Sequence, residues 1–348
     1  MTGYQEERLK LLAAFGAVYF LWGSNFLAIR YAAEAMPPLL MMGVRSLVAG
    51  ALLFGWARIR GGERPAPGQW PAAAVVGTVL FLGCHGLLAW AEQTVPSGVA
   101  ALVLATIPVW MTLLDAATGG SRPGRQDVAG LALGLLGLVV LIGPAPGEST
   151  PLAGLLALVL SAFAWAAGSI LSRRLPRPTS LVLASGMQLI AGGAALAVVG
   201  LAMGEAGRLD AGALAPRALL AFAYMVVASS LIGFTAYMWL LRVSTPARVG
   251  TYAFVNPVVA LVVGSSIGGE SLGARTLAAS LVIVAGVALI VAATRNAAKG
   301  GGDDRAGLEG HDPDRAGRRV PRLHRADRGG PMPEHARQPG REHPAPDH

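Results

Sequence analysis

The sequence predicts an all-α membrane protein whose ten transmembrane helices form two five-helix repeats of inverted topology, followed by a disordered tail at residues 299–348. Three observations predict it: ten apolar stretches of membrane-spanning length, an alternating distribution of Lys and Arg, and a pattern of residues that recurs in both halves. Only 14% of the 348 residues are charged and 53% are apolar, with a mean hydropathy of +0.53. Soluble domains carry about a quarter charged residues, so this composition excludes an ordinary soluble domain.

The apolar stretches set the number of predicted helices. About 20 apolar residues cross the hydrocarbon layer of a bilayer, and short breaks rich in Pro, Gly and Arg separate ten such stretches. They are residues 11–29, 38–57, 71–90, 97–116, 127–143, 151–171, 179–203, 216–240, 249–268 and 275–294. The first stretch is longer than the apolar core of a secretory signal peptide, so we interpret it as a true membrane span.

The positive charges predict the orientation of the helices. With the N-terminus inside, fourteen Lys and Arg residues flank the inner ends of the predicted spans, and only Arg30, Arg208, Arg217 and Arg275 flank the outer ends. Because cytoplasmic loops carry the excess of Lys and Arg, we expect both termini in the cytoplasm. The formal charge of +8 is therefore a topology signal, which predicts the lipid bilayer and not a nucleic acid as a partner.

The tail, residues 299–348, differs in composition from the rest. Gly, Pro, Arg, His and Asp dominate it, and such a segment has too little to bury to fold on its own. Five of the six His residues lie there without the spacing of metal ligands, so we predict no metal site, with a metal-binding tail as the less favoured alternative. The single cysteine, Cys84, excludes a disulfide framework, and the absence of a phosphate-binding loop predicts no nucleotide cofactor.

The two predicted halves, residues 1–145 and 146–298, repeat the same residues at a nearly constant offset, 143 in the first two spans and 149 in the later ones. The matched pairs are Trp22 and Trp165, Arg30 and Arg173, Gly43 and Gly186, Trp90 and Trp239, Pro108 and Pro257, and Gly137 and Gly286. Because each half has an odd number of spans, the second half must enter the bilayer in the opposite direction. Inverted repeats are typical of secondary transporters, which bind their substrate near the midplane where the repeats meet.

Three motifs stand out along the chain. They are Trp22-Gly23-Ser24-Asn25-Phe26, the stretch 91–102 followed by Thr106-Ile107-Pro108, and Asn256-Pro257 followed by Gly269-Glu270. Together they resemble the drug/metabolite transporter superfamily, and within it the EamA-type bacterial exporters, over residues 8–296. The resemblance implies ten helices, a central cavity between the repeats, and export of small metabolites such as amino acids.

Polar groups at membrane depth are expensive to bury, which makes them the first candidates for a binding site. The candidate substrate-cavity residues are Trp22, Ser24, Asn25, Arg45, His85, Glu92, Gln93, Trp165, Ser169, Gln188, Tyr252 and Asn256. The two tryptophans offer an apolar or cation–π wall beside hydroxyl and amide groups. Pro108 and Pro257 are candidate hinges, because a proline inside a helix leaves a carbonyl without its donor; a simple packing kink is the alternative.

Three ionisable candidates have more than one interpretation. Arg45 could bind a substrate carboxylate through two hydrogen bonds, or it could form a structural ion pair, since its repeat counterpart Gln188 is uncharged. His85 could relay protons or be a packing residue. Glu92, at the outer boundary, could bind a cation or a proton, or be a solvated loop acid. Protons as a coupling ion and the oligomeric state therefore stay open.

These patterns predict a secondary transporter of the inner membrane, without enzymatic activity, that exports small metabolites by alternating access. Amino acids or related amphiphilic compounds are the expected small-molecule substrates. A multidrug exporter is the alternative within transport. It is less favoured, because efflux of cations favours a carboxylate deep in the membrane, and the candidate that the sequence offers, Glu92, lies at a boundary. A membrane enzyme acting on lipid-linked substrates would need converging catalytic groups, and a receptor or scaffold would not need prolines matched in both halves.

Overall fold

A computed structural model of the protein consists of helices joined by short loops. The structure describes residues 3–91, 94–95, 100, 103–120, 122–142, 151–209, 215–268, 274 and 278–292. These residues belong to one unit, Met1–Ala298, and the predicted tail at 299–348 lies outside the described residues. No strand occurs within the described residues, so the all-α prediction is confirmed for them.

Within the described residues, an apolar helix lies in each of the ten stretches predicted from the sequence. The helices are α1 (Gly3–Ala33), α2 (Pro38–Ile59), α3 (Gln69–Ala91), α4 (Ile107–Ala117), α5 (Arg125–Ile142), α6 (Leu152–Arg174), α7 (Leu181–Ala202), α8 (Pro216–Val243), α9 (Tyr252–Gly268) and α10 (Ala278–Ala292). Six of them, α1 to α3 and α6 to α8, are long and apolar enough to cross a membrane. A 3₁₀ helix (Glu205–Arg208) follows α7, and a short helix (Pro246–Gly250) precedes α9.

Glycines allow α2 and α7 to pack backbone against backbone. A Cβ atom on Gly50 would lie 2.9 Å from the carbonyl oxygen of Gly186, and one on Gly186 would lie 3.1 Å from that of Gly50. Gly43 and Gly193 contact each other in the same reciprocal way, at 3.1 and 2.9 Å. The contacts join rising residue numbers on α2 to falling numbers on α7, so these two helices are antiparallel.

The same arrangement recurs between α5 and α10. A Cβ atom on Gly130 would lie 2.7 Å from the carbonyl oxygen of Gly286, and one on Gly286 would lie 2.8 Å from that of Gly130. A Cβ atom on Gly137 would lie 3.2 Å from the carbonyl oxygen of Ala279. Here too the contacts run in opposite directions along the two helices, and small residues set the close approach, as is common between helices in lipid.

An acidic side chain caps the N-terminus of each of α2 and α7. Glu205, just after α7, accepts a hydrogen bond from the backbone N–H of Leu40 at 2.8 Å. Glu63, in the loop after α2, accepts one from the backbone N–H of Ser180 at 2.8 Å. The positive end of a helix dipole favours a carboxylate at this position. Each helix of the pair is therefore capped from the loop that follows the other one.

Two long helices contain a π-helical segment, from Thr78 to Gly86 in α3 and from Met225 to Phe234 in α8. π-Helical segments, in which hydrogen bonds join residues five apart, are rare and occur often at functional sites. The two segments occupy nearly equivalent positions in the repeats, because adding the offset of 149 to the first gives residues 227–235. The sequence did not indicate them, since neither segment contains a proline.

The two candidate hinge prolines occupy different positions in their helices. Pro257 lies inside α9, as expected from the sequence. Pro108 lies in the first turn of α4, after a turn that the Thr106 N–H closes on the carbonyl of Val103 at 3.0 Å. A proline in the first turn costs no helical hydrogen bond. Contrary to the expectation from the sequence, the break in this stretch therefore precedes Pro108.

Candidate substrate-binding site

Four aromatic side chains from α1, α6, α8 and α9 meet in the interior of the described bundle. Trp22 lies at the centre of this aromatic cluster, with its ring centroid 5.7 Å from that of Trp165, 5.0 Å from Tyr237 and 4.9 Å from Tyr252. The Tyr237 ring is 5.7 Å from Trp165 and 5.6 Å from Tyr252. These separations lie in the range in which aromatic pairs attract each other. The aromatic cluster thus joins the helices that carry the two matched tryptophans.

The hydroxyl group of Tyr237 links the aromatic cluster to the polar residues of α6. It accepts a hydrogen bond from Nε1 of Trp165 at 3.0 Å and shares one with the Ser169 hydroxyl at 2.6 Å. Tyr237 is fully buried. The sequence analysis missed this residue because its counterpart in the repeat register is Leu88, and only the presence of a hydroxyl inside an apolar stretch could have indicated it.

Both π-helical segments accept a hydrogen bond from the helix that packs on them. Nε1 of Trp22, in α1, donates to the carbonyl oxygen of Ser229 in α8 at 3.1 Å. The Ser161 hydroxyl, in α6, donates to the carbonyl oxygen of Cys84 in α3 at 2.8 Å. Departures from the regular helical ladder are stable in a membrane when neighbours satisfy the freed backbone groups. Side chains of α1 and α6 provide such partners.

Arg45 is the candidate residue with the most unusual environment. It lies in α2 with 5% of its surface exposed, and its Nε has no hydrogen-bond partner. None of the hydrogen bonds or ion pairs found among the described residues involves its guanidinium. A buried charge without a partner is expensive, so this group is suited to an anion that comes from elsewhere.

His85 lies beside the aromatic cluster. The Arg45 charge is close enough to act on the imidazole, and the imidazole centroid is 5.6 Å from the ring of Trp165. Its Nδ1 is buried without a hydrogen-bond partner in the described part of the chain. The site therefore combines a cationic group, an imidazole and the aromatic rings.

The remaining polar candidates of α1 and α9 have separate environments. The Ser24 hydroxyl forms a hydrogen bond of 2.6 Å with that of Tyr224. Asn25 is buried, and its Oδ1 has no partner among the described residues. The Asn256 amide, in the orientation that satisfies its surroundings, donates to the carbonyl oxygens of Tyr19 at 3.3 Å and Tyr252 at 3.1 Å.

Gln188, Glu92 and Gln93 are the other candidates. Gln188 is buried between α7 and α3, where its Oε1 has no partner in the part of the chain that the structure describes. Glu92 and Gln93 lie outside the described residues. Among those described, no group of His, Cys, Asp and Glu side chains is arranged to hold a metal ion.

Ion pairs join helices near both ends of the bundle. Arg173, at the end of α6, lies 3.0 Å from the carboxylate of Asp115 in α4, and the Asp115 side chain is almost fully buried. Arg217, at the start of α8, forms an ion pair with Glu34, just after α1. Each pair connects a residue from the first matched half with one from the second.

The sequence profile of the EamA-like transporter family matches residues 9–143 and again residues 152–292. Together the two matches cover most of the chain. The chain belongs to the EamA-like transporter family. It is therefore a membrane transporter, as the resemblance to drug/metabolite transporters implied.

The chain is also similar to individual proteins. The chain is 36% identical to the uncharacterized inner membrane transporter YedA of Escherichia coli, over 82% of this chain and 92% of YedA. It is 28% identical to a probable amino-acid metabolite efflux pump of Salmonella typhimurium, over 78% of this chain and 91% of the pump. A solved structure described only as a crystal structure of a protein is 24% identical, with a TM-score of 0.69, over 82% of this chain and 98% of that chain. This last likeness shows a shared fold.

Proposed function

We propose that this EamA-family protein is a secondary transporter of the inner membrane that exports amino acids or related amphiphilic metabolites by alternating access. The observation that carries the proposal is the buried guanidinium of Arg45, which has no partner among the described residues. Ionisable groups at membrane depth that lack an internal partner are candidates for substrate contacts. The description of the Salmonella relative as an amino-acid metabolite efflux pump and that of YedA as an inner membrane transporter support the substrate class and the location.

The chemistry of the site suits a zwitterion. A carboxylate can accept two parallel hydrogen bonds from the guanidinium of Arg45. An ammonium group is attracted to the faces of the aromatic cluster and can donate to Nδ1 of His85. An amino acid satisfies both ends of the site at once, while its apolar side chain packs against the rings. A simple cation would leave Arg45 without an anion.

We further propose that the site lies between two repeats of opposite orientation, residues 1–145 and 146–298, with both termini in the cytoplasm. The reciprocal, antiparallel packing of α2 with α7 and of α5 with α10 supports this arrangement. The double match of the family profile supports it as well. In such a molecule, exchange of the two repeat conformations moves access from one side of the membrane to the other.

Alternating access requires that the two ends of the bundle open in turn. The Asp115–Arg173 pair joins α4 to α6 at the end that the charge distribution predicts to be cytoplasmic. The Glu34–Arg217 pair joins the other end. Entry of a substrate then requires separation of the first pair, and its release requires separation of the second. Pro257 and the break that precedes Pro108 are the hinges we propose for these movements.

The test is efflux of labelled amino acids from proteoliposomes that contain the purified protein. Arg45→Gln removes the charge, and we expect it to lower efflux at least about tenfold, since hydrogen bonds to charged groups contribute about 1.5–3 kcal/mol. Arg45→Lys keeps the charge without the paired geometry and should retain part of the activity. Arg30→Gln, at an exposed position near the end of α1, is the matched control and should transport normally. No substrate-dependent efflux across a broad panel of amino acids would contradict the proposal.

A multidrug exporter is the second candidate function. Efflux of lipophilic cations favours a free carboxylate deep in the membrane, and the buried carboxylate of Asp115 is already paired with Arg173. The same vesicles can be tested with lipophilic cations, and efflux of these without efflux of amino acids would favour this candidate. A lipid-modifying enzyme is less well supported, because catalysis needs at least two converging groups and Nδ1 of His85 contacts no nucleophile within the described residues.

A further inference from the structure

A crevice lies between α3, α6, α7 and α8 near the end of α6. Its two adjoining lobes share Ser172, Arg177, Ala184 and Gln188 as walls, and each has room for about one water molecule. The Ser172 hydroxyl donates to the carbonyl oxygen of Ser169 at 2.7 Å. The Ser169 hydroxyl in turn forms a hydrogen bond with the Tyr237 hydroxyl of the aromatic cluster. We call this feature the arginine crevice, after the residues at its rim.

The rim of the arginine crevice is strongly basic. Arg173, Arg177 and Arg242 line it, and the first of these is neutralised by Asp115. Arg177 donates to the carbonyl oxygen of Ser172 at 2.7 Å and forms no ion pair within the described residues. Arg242 lines the same lobe as Arg177 and donates to the carbonyl oxygen of Thr179 at 3.0 Å. Two like charges on the lining of one crevice favour an anion between them.

The inner wall of the arginine crevice carries two polar groups that lack partners. The Ser185 hydroxyl and Oε1 of Gln188 are both buried without a hydrogen bond in the described part of the chain. Buried polar atoms are almost always satisfied in folded proteins, so these two await a ligand or water. Apolar side chains of Leu181 and Met238 complete the wall. The arginine crevice therefore offers an anion contact at its rim and a mixed polar and apolar surface inside.

We propose that the arginine crevice is a loading site, where the carboxylate of an amphiphilic substrate binds between Arg177 and Arg242 before the substrate moves to the aromatic cluster. Binding at the crevice stands on its own geometry, and only the later transfer rests on the proposed function. A phosphate headgroup of an anionic lipid carries the same kind of charge on an apolar chain. The experiment therefore presents both kinds of ligand separately.

The experiment uses a single cysteine as a reporter of occupancy. Leu181 lines the crevice at a half-buried position, so Leu181→Cys in a Cys84→Ala background can be alkylated with N-ethylmaleimide. The protein is held in discs of phosphatidylcholine, with butyrate or butyltrimethylammonium added at equal ionic strength. We expect butyrate to slow alkylation and the cation of similar size to have no effect. We also expect Arg177→Gln or Arg242→Gln to raise the butyrate concentration needed about tenfold, since each removes a charge-assisted contact.

Arg174→Gln is the matched control, because Arg174 neighbours the crevice residues but is exposed and does not line it. It should leave protection by butyrate unchanged. Equal protection by both additives, or protection that survives both crevice substitutions, would overturn the proposal. Protection by phosphatidylglycerol in the discs but not by butyrate would assign the crevice to a lipid headgroup and would also overturn it. Butyrate protection without export of any amino acid would keep the crevice site and reject the proposed function.

Discussion

At the scale of single residues, Tyr237 is the side chain on which the candidate site depends most. Its hydroxyl satisfies both Nε1 of Trp165 and the hydroxyl of Ser169. Tyr237→Phe leaves the buried Nε1 of Trp165 without this partner, while the Ser169 hydroxyl still donates to the carbonyl oxygen of Trp165 at 2.7 Å. We therefore expect it to lower the free energy of unfolding by about 1–3 kcal/mol. Thermal unfolding of the purified protein in detergent measures this effect.

Tyr224→Phe is the control for this change, since it removes one hydrogen bond to Ser24, whose hydroxyl still donates to the carbonyl of Phe20 at 2.6 Å. We expect a smaller loss of stability there. The double change Tyr237→Phe with Ser169→Ala should cost less than the sum of the single changes, because contacting residues are not additive. Equal losses from Tyr237→Phe and Tyr224→Phe would show that the Tyr237 hydroxyl has no special structural role.

The sequence predicted some residues of the site better than others, for a physical reason. Trp22, Trp165 and Tyr252 are large or polar groups in apolar stretches, and the structure brings them into one cluster. Their role in binding a substrate stays a prediction. Tyr237 corresponds to an apolar residue, Leu88, in the other half, and its importance comes from the two partners that it meets. Contacts between distant helices of this kind leave no local mark in a sequence.

At the scale of helices, the close packing of α2 on α7 depends on residues without a side chain. A Cβ atom on Gly50 would lie 2.7 Å from the backbone nitrogen of Ile190, so an alanine there would force the two backbones apart. We expect Gly50→Ala to lower the free energy of unfolding by about 1–3 kcal/mol, the usual cost of overpacking. Thermal unfolding in detergent again provides the measurement.

Gly55→Ala, on the same helix, is the matched control. A Cβ atom there would meet no atom within 4 Å, and alanine favours a helix more than glycine does. Its melting temperature should be unchanged or slightly higher. If Gly50→Ala were as well tolerated as Gly55→Ala, the close antiparallel contact of α2 with α7 would be incorrect.

Helix positions were largely predictable from the sequence, whereas the irregularities inside the helices were not. Apolar length and Pro/Gly breaks predicted 38–57 and 216–240, close to the observed α2 and α8. The π-helical segments of α3 and α8 arise where neighbouring helices donate to backbone carbonyls. Hydropathy does not register such tertiary partners. For the same reason it did not predict that the break before α4 precedes Pro108.

At the scale of the whole molecule, the two matched segments contact each other as equivalents. Gly43 and Gly186 occupy the same position in the repeat, and each contacts the glycine that lies seven residues along in the other segment. The acidic caps of α2 and α7 follow the same exchange. Reciprocal contacts of this kind relate two units by a two-fold axis, and a two-fold axis that makes equivalent helices antiparallel is the one expected in the plane of a membrane.

This arrangement predicts that equivalent loops lie on opposite sides of the membrane. Ala66, in the loop after α2, and Ala206, in the loop after α7, are both exposed, and each can be changed to cysteine in a Cys84→Ala background. In right-side-out vesicles a membrane-impermeant maleimide should label the Ala206→Cys protein and not the Ala66→Cys protein, and in inside-out vesicles the preference should reverse. The Cys84→Ala parent, which has no cysteine, gives the background signal. Labelling of both positions from the same side would rule out inverted repeats, because equivalent loops of inverted repeats lie on opposite sides of the membrane.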